Sequence, residues 1–239
     1  MIPDVPAYVS IVFILTALLT VGIFLFAILR AGFTPWPARF LLAFVLVWMV
    51  VTAVLGCNGF YQNFDVVPPR TFALGALPFL LLAIVYLFFF REGLLAKLPL
   101  TVLTLIHVIR IPIEIVLLWL YQSGQVPVEM TFEGRNFDIL SGITAPIVYF
   151  LAFRGDKANG PLLIVWNVAA LALLTNIVTI AILAFPSTFQ MVGIEQPNIG
   201  VTFFPFIWLP AAIVPIVFFC HVASLSQLIS GTSETTGRG

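Results

Sequence analysis

Long runs of apolar residues, separated by charged residues and by proline or glycine breaks, fill most of the chain. A transmembrane helix needs about 20 consecutive apolar residues, and most of these runs have that length. None of them alternates apolar and polar positions as the strands of a membrane barrel do. The pattern therefore predicts an all-α integral membrane protein, a bundle of seven transmembrane helices. The predicted spans are residues 7–29, 40–61, 72–90, 99–121, 138–153, 162–185 and 203–229.

The composition leads to the same class of protein. Of 239 residues, 62% are hydrophobic and 8% are charged, whereas about 25% are charged in a soluble domain. Ten acidic and ten basic residues cancel to a formal net charge of zero, and the mean hydropathy is +1.16. We therefore expect a single transmembrane domain over residues 1–229, a disordered cytoplasmic tail at residues 230–239, the lipid bilayer as partner, and no binding of nucleic acid.

Lysine and arginine residues between the spans predict the orientation, because cytoplasmic loops carry most of the positive charge. Only Arg70 and Arg135 lie on one side of the predicted membrane. The other side has Arg30, Arg39, Arg91, Lys97, Arg154, Lys157 and Arg238. This distribution predicts an external N-terminus, a cytoplasmic C-terminus and a multi-pass protein of the plasma (inner) membrane.

Two longer connections, residues 122–137 and 186–202, are predicted on the outer side. They either fold back as a lid over a cavity or are simple loops. The short fifth span is expected to begin within residues 135–138, buried against its neighbours. Three prolines in the seventh span predict a bent or broken outer half.

Three ionisable residues occur within the fourth predicted span, where each costs several kcal/mol unless it is paired or faces water. Thr104, His107, Arg110 and Glu114 follow spacings of three, three and four residues, which place them on one face of a helix. Arg110 and Glu114 are expected to form an ion pair, and Pro112 is expected to kink the helix between them. A purely structural ion pair that locks the bundle is the alternative.

Depth along each span predicts which residues meet this face. At the rise of an α-helix, His107 and His221 both lie about 12 Å from the cytoplasmic side, Glu114 and Asp138 lie near about 22 Å, and Asn58 near about 27 Å. The expected inner layer is His107, His221, Ser224, Asn167 and Tyr149. The expected outer layer is Glu114, Asp138, Asn58, Arg135 and Asn136, with Arg110 between the two layers. We expect access from outside, past Asp138 and Asn58.

Two histidines at one depth favour a transition metal ion (zinc, copper or iron) or haem, because imidazole is a common ligand of these metals. The predicted metal ligands are His107, His221 and Glu114. Glu114 is alternatively a general base, with Arg110 holding it ionised, and these two are the candidate catalytic residues. An equally open interpretation is that both histidines are structural and that hydrogen bonds satisfy their ring nitrogens.

Two further classes of function remain open on the sequence. One is a proton- or cation-coupled transporter or channel that uses Glu114, Arg110, His107 and Asp138. The other is a sensor or assembly subunit without enzymatic activity. No phosphate-binding loop, dinucleotide fingerprint or hydrolase motif occurs, and no lysine lies in a predicted span, which excludes a retinal Schiff base.

Overall fold

The computed structural model describes residue 2 and residues 4–32, 36–155 and 157–231. This part of the chain is helical and contains no strand. Its eight α-helices, some joined directly through 3-10 or π turns, form seven segments that we number α1 to α7. The segments are α1 (Ala7–Ala31), α2 (Trp36–Cys57), α3 (Thr71–Phe89), α4 (Leu100–Gln122), α5 (Ile139–Ala152), α6 (Gly160–Leu183) and α7 (Leu209–Ile229).

Six of these segments are long and apolar enough to cross a membrane, so the protein is a polytopic helical membrane protein. The exception is α5, whose 14 residues extend about 21 Å, less than the ~30 Å of a bilayer core. Seven crossings, the orientation of the termini and the single domain stay predictions. The tail predicted at residues 230–239 lies outside the described residues from residue 232 onward.

Three of the segments contain a turn that is not α-helical. A π turn, Thr71–Ala76, opens α3, a 3-10 turn, Ile106–Ile109, divides α4, and a π turn, Leu209–Ile213, opens α7. Pro112 follows the 3-10 turn as the third residue of the next α-helix, and the first turn of a helix is where proline is best tolerated. The sequence predicted a kink at Pro112, and the structure has a change from 3-10 to α-helix at Arg110, two residues earlier.

The segments α4 and α7 form the centre of the bundle and are the most buried of the six long segments. α7 packs against α1, α2, α3, α4 and α6, and α4 packs against α1, α5 and α7. The outward faces of α1 and α2 expose large apolar side chains such as Leu15 and Val50. Such a surface is suited to lipid rather than to water, so the charged face of α4 is directed into protein.

The two longer connections are held together by hydrogen bonds at one end of the bundle. The carbonyl oxygen of Gln125 accepts from the backbone N–H groups of Ile199 and Gly200, at 3.1 and 2.8 Å. The side-chain amide of Gln196 donates to the carbonyl oxygen of Val126 at 2.6 Å. These connections therefore form one joined layer, as the lid interpretation requires.

Gly142 allows α5 to pack closely against α4. A Cβ atom at this position would lie 2.9 Å from Ile111 Cγ1 and 3.1 Å from the Ile111 backbone nitrogen. Asp138 lies one helical turn before Gly142 and is therefore brought towards the same part of α4.

Replacing Gly142 by alanine is expected to lower the free energy of unfolding by about 1–3 kcal/mol, because the added methyl group overpacks this contact. Unfolding of the purified protein in mixed detergent micelles measures the change. Gly22→Ala in α1 is the matched control, since a Cβ there meets nothing within 4 Å. Equal stability of the two variants would contradict the close contact.

Candidate functional site

The 3-10 turn Ile106–Ile109 explains how the polar face of α4 is built. A 3-10 helix has three residues per turn, so side chains three positions apart are nearly eclipsed. His107 lies in this turn and Arg110 follows it directly, which places both on one line. Glu114 continues the face one α-helical turn further. All three side chains are buried.

Arg110 is the centre of the polar cluster. Its Nη1 lies 2.6 Å from Asp138 Oδ1, and its Nη2 lies 3.1 Å from His221 Nε2. Nη1 also approaches the carbonyl oxygen of Ala170 at 3.4 Å. Glu114 was the predicted ion-pair partner of Arg110. The ion-pair partner of Arg110 in the structure is Asp138 instead. The close packing of α5 at Gly142 explains the exchange, because it brings Asp138 within reach of the guanidinium group.

His221 has a partner at each ring nitrogen. Nε2 faces the Arg110 guanidinium group, which can only donate, so Nε2 must accept. The proton of the neutral ring is then on Nδ1, which donates to Asn167 Oδ1 at 2.8 Å. Asn167 is fixed in turn by donating to the carbonyl oxygen of Leu163 at 2.8 Å. The network thus assigns a single tautomer to His221.

His107 stacks on His221, with ring centroids 3.9 Å apart and an angle of 15° between the ring planes. Trp166 lies against both rings, at 5.3 and 5.7 Å between centroids. The two histidines, predicted to lie at the same depth, are thus in direct contact. Neither ring nitrogen of His107 has a hydrogen-bond partner among the described residues.

The stacked arrangement does not support a metal or haem site on His107, His221 and Glu114. Imidazole lone pairs lie in the ring plane, so two nearly parallel rings direct them into separate planes and not at one ion. Ligation by His221 would also break one of its two hydrogen bonds. Within the described residues, no group of three or more His, Cys, Asp or Glu side chains could hold a metal ion. The catalytic roles of Glu114 and Arg110 stay predictions.

Asn136 connects Glu114 to the longer connection formed by residues 122–137. Its Nδ2 lies 2.7 Å from each carboxyl oxygen of Glu114 and 3.0 Å from the carbonyl oxygen of Met130. Its Oδ1 accepts from the backbone N–H of Asp138 at 3.0 Å. Asn136 is the hydrogen-bond donor of Glu114 among the described residues, and they give Glu114 no ion pair. The cluster therefore contains one guanidinium group and two carboxyl groups.

Other candidates from the sequence lie outside this network. Asn58 is exposed just beyond the end of α2, and Arg135 is exposed, with its carbonyl oxygen accepting from Asn176 at 2.8 Å. Tyr149 is half-buried and contacts the ring of Phe153. Ser224 is buried in α7, and its hydroxyl has no partner among the described residues.

A cavity of about 100 Å³ lies beside the cluster. Its polar lining comes from Arg110, Glu114, Asp138 and Asn198. The remaining lining is apolar and comes mainly from α3, α4, α6 and α7, together with Met130 and Val201 of the two longer connections. Asn198 and these apolar residues are not predictable as site residues, since nothing in the sequence separates an apolar side chain that lines a cavity from one that faces lipid.

Fold and site together define the class: a polytopic helical membrane protein with a buried arginine, carboxylate and histidine cluster beside an apolar cavity. The chain belongs to the family described as Domain of unknown function (DUF8737), which matches residues 67–229. The cluster and every lining residue of the cavity fall within the matched region, and Asn58 falls outside it. No curated protein and no solved structure matches the chain.

Proposed function

We propose that the protein binds a small, mainly apolar cation, whose positive end meets Glu114 and whose hydrocarbon part fills the cavity. One observation carries the proposal. Glu114 lines the cavity, is buried, and is hydrogen-bonded by an amide but forms no ion pair within the described residues.

The charges of the cluster support a cation rather than an anion. Arg110 forms its ion pair with Asp138, so with both carboxyl groups ionised the one guanidinium group leaves the cluster with an excess of negative charge at Glu114. A buried, uncompensated charge costs several kcal/mol, and the group therefore takes up a proton or acquires a counter-ion. An ammonium group of a ligand at Glu114 is such a counter-ion.

The size and lining of the cavity support a short hydrocarbon chain. An apolar cavity of roughly 150 Å³ accommodates benzene, so the volume of about 100 Å³ corresponds to a few heavy atoms. Sixteen of the twenty lining residues are apolar, and binding such a ligand removes its apolar surface from water. n-Butylamine matches both the charge and the size.

Binding of n-butylamine is expected to stabilise the wild-type protein and not the Glu114→Gln variant. At roughly ten times the dissociation constant the gain is about 1.4 kcal/mol, which is a rise in Tm of several degrees for a chain of this length. Thermal unfolding in detergent micelles measures it, with methylamine and n-butanol as probes that lack the chain or the charge.

Glu133→Gln is the matched control, because Glu133 is an exposed acid of the outer connection. It should retain the full effect of n-butylamine. Equal stabilisation of the Glu114→Gln variant, or equal effects of n-butanol and n-butylamine on the wild type, would contradict the proposal.

Cation or proton transport is the second candidate, and it rests on a different observation. A chain of polar contacts runs from Asp138 through Arg110 and His221 to Asn167, away from the cavity and towards the opposite half of the bundle. Buried polar groups in series are typical of proton and ion pathways. Proton flux is measured in liposomes that contain the protein. A flux that Glu114→Gln abolishes would support transport. A wild-type flux no greater than that of protein-free liposomes would exclude transport.

A further inference from the structure

We infer that the cavity is entered sideways from the hydrocarbon core of the membrane, between α3 and α6, and that its ligand is a membrane-dissolved amine. The inference rests on the proposed function for the charge of the ligand, and on the packing around the cavity for its route. It replaces the access from outside that the sequence suggested.

The end of the cavity under the outer connections is closed. Met130, Asn198 and Val201, which line it there, are all buried. The Asn198 amide donates to the carbonyl oxygen of Ala181 at 3.1 Å, and its backbone N–H donates to the carbonyl oxygen of Ala184 at 2.9 Å. This part of the outer connection is therefore tied to the end of α6.

A buried aromatic contact closes the same end between α3 and α6. Phe185 follows α6, is fully buried, and contacts the ring of Phe72 in the first turn of α3 at 5.0 Å between centroids. Its ring also contacts Phe64 at 5.7 Å. A path from the aqueous phase would have to displace these side chains or the hydrogen-bonded connection.

The side of the cavity is open by comparison. α3 and α6, both described in full, each pack along α7 but make no extensive contact with each other. The lining residues along this gap are half-buried rather than buried. They are Ala76 of α3, Val178 and Ala181 of α6, and Leu209 and Pro210 of α7.

The chemistry of this gap selects the ligand. Its walls carry no charged side chain, and they lie in segments apolar enough to cross a membrane, so a molecule passing between them must already be dissolved in the bilayer. An amine enters hydrocarbon as the uncharged base, because the ammonium ion is strongly hydrated. At the cavity it takes the proton from the neutral Glu114 carboxyl group: an N–H bond forms, the O–H bond breaks, and an ammonium–carboxylate pair remains.

Carbene footprinting tests the route independently of the charge. A small neutral aliphatic diazirine, dissolved in the lipid of nanodiscs, is expected to label the buried lining residues Leu174 and Ile177. A sulfonated, membrane-impermeant diazirine should label Met191, which is exposed in the outer connection, but neither lining residue. Leu163, buried in the same helix and not part of the lining, gives the background.

Val178→Phe narrows the gap and is expected to reduce labelling of Leu174 and Ile177 at least fivefold. Val168→Phe is the matched control, because Val168 is exposed on the lipid-facing side of α6 and does not line the cavity. Labelling of Leu174 by the sulfonated reagent, or labelling by the neutral reagent no greater than at Leu163, would overturn the inference. Footprinting with a neutral probe can fail or succeed whatever the amine experiment shows, so the two proposals fail separately.

Discussion

Replacing Arg110 by methionine is expected to lower the free energy of unfolding by about 3–5 kcal/mol, among the largest effects of any single substitution in this protein. The substitution leaves the buried carboxyl group of Asp138 without its only ion-pair partner among the described residues, and it removes the donor to His221 Nε2. Methionine keeps the length and apolar character of the arginine stem, so the loss is electrostatic. Unfolding in mixed detergent micelles measures it.

A second substitution separates the lost pair from lost packing. Adding Asp138→Leu to Arg110→Met removes the unpaired charge, and the double variant is expected to recover most of the stability, because replacing both members of a buried pair by apolar residues is often close to neutral. Arg135→Met is the control, since Arg135 is exposed and surface substitutions usually change stability by less than about 0.5 kcal/mol. If Arg110→Met lowers the free energy of unfolding no more than Arg135→Met does, the Arg110–Asp138 pair does not stabilise the fold in this way.

The predictable parts of this structure are those that follow from one helix at a time. Hydrophobic run length gives five of the long segments within about four residues at each end, whereas α7 begins at Leu209, six residues after the predicted start at residue 203. Residue spacing gives the common face of His107, Arg110 and Glu114. Counting depth along two helices also works for His107 and His221, which are in contact. Depth depends only on the rise per residue, and that quantity is nearly constant.

The rotation of each helix about its axis, and how closely two helices approach, cannot be predicted from run length, spacing or depth. The partner of Arg110 depends on how near α5 lies to α4, which Gly142 decides through backbone packing rather than through charge. Asn58 has a depth that suits the outer layer, yet it is exposed beyond the end of α2. Depth alone therefore finds candidates, whereas the choice among them needs the three-dimensional packing.

The stacked imidazoles illustrate a further limit. Two histidines at one depth are compatible with a shared metal ion, and equally with a stacked pair that is hydrogen-bonded elsewhere. The orientation of the ring planes decides between these, and it is set here by Arg110, Asn167 and Trp166 around the rings. These neighbours come from α4 and α6, two helices that are distant in the sequence, so no local motif could predict the arrangement.

Replacing Asn136 by leucine is expected to cost about 3 kcal/mol, the second large effect. Asn136 donates to both carboxyl oxygens of Glu114 and to the carbonyl oxygen of Met130. A buried group that loses its hydrogen-bond partner costs about 1–3 kcal/mol. Leucine has nearly the same volume but no donor, so the variant leaves a buried carboxyl group and a buried carbonyl oxygen unsatisfied.

Asn176→Leu is the matched control for this substitution. Asn176 also donates from its side chain to a backbone carbonyl oxygen, that of Arg135 at 2.8 Å, but it is exposed. We expect it to cost less than about 1.5 kcal/mol, because a single hydrogen bond between neutral groups is lost and no carboxyl group loses its donor. Adding Glu114→Leu to Asn136→Leu should recover roughly the part due to the carboxyl group. If Asn136→Leu and Asn176→Leu unfold at the same detergent concentration, Asn136 does not hold Glu114 in place, and the geometry of the proposed cation site must come from other residues.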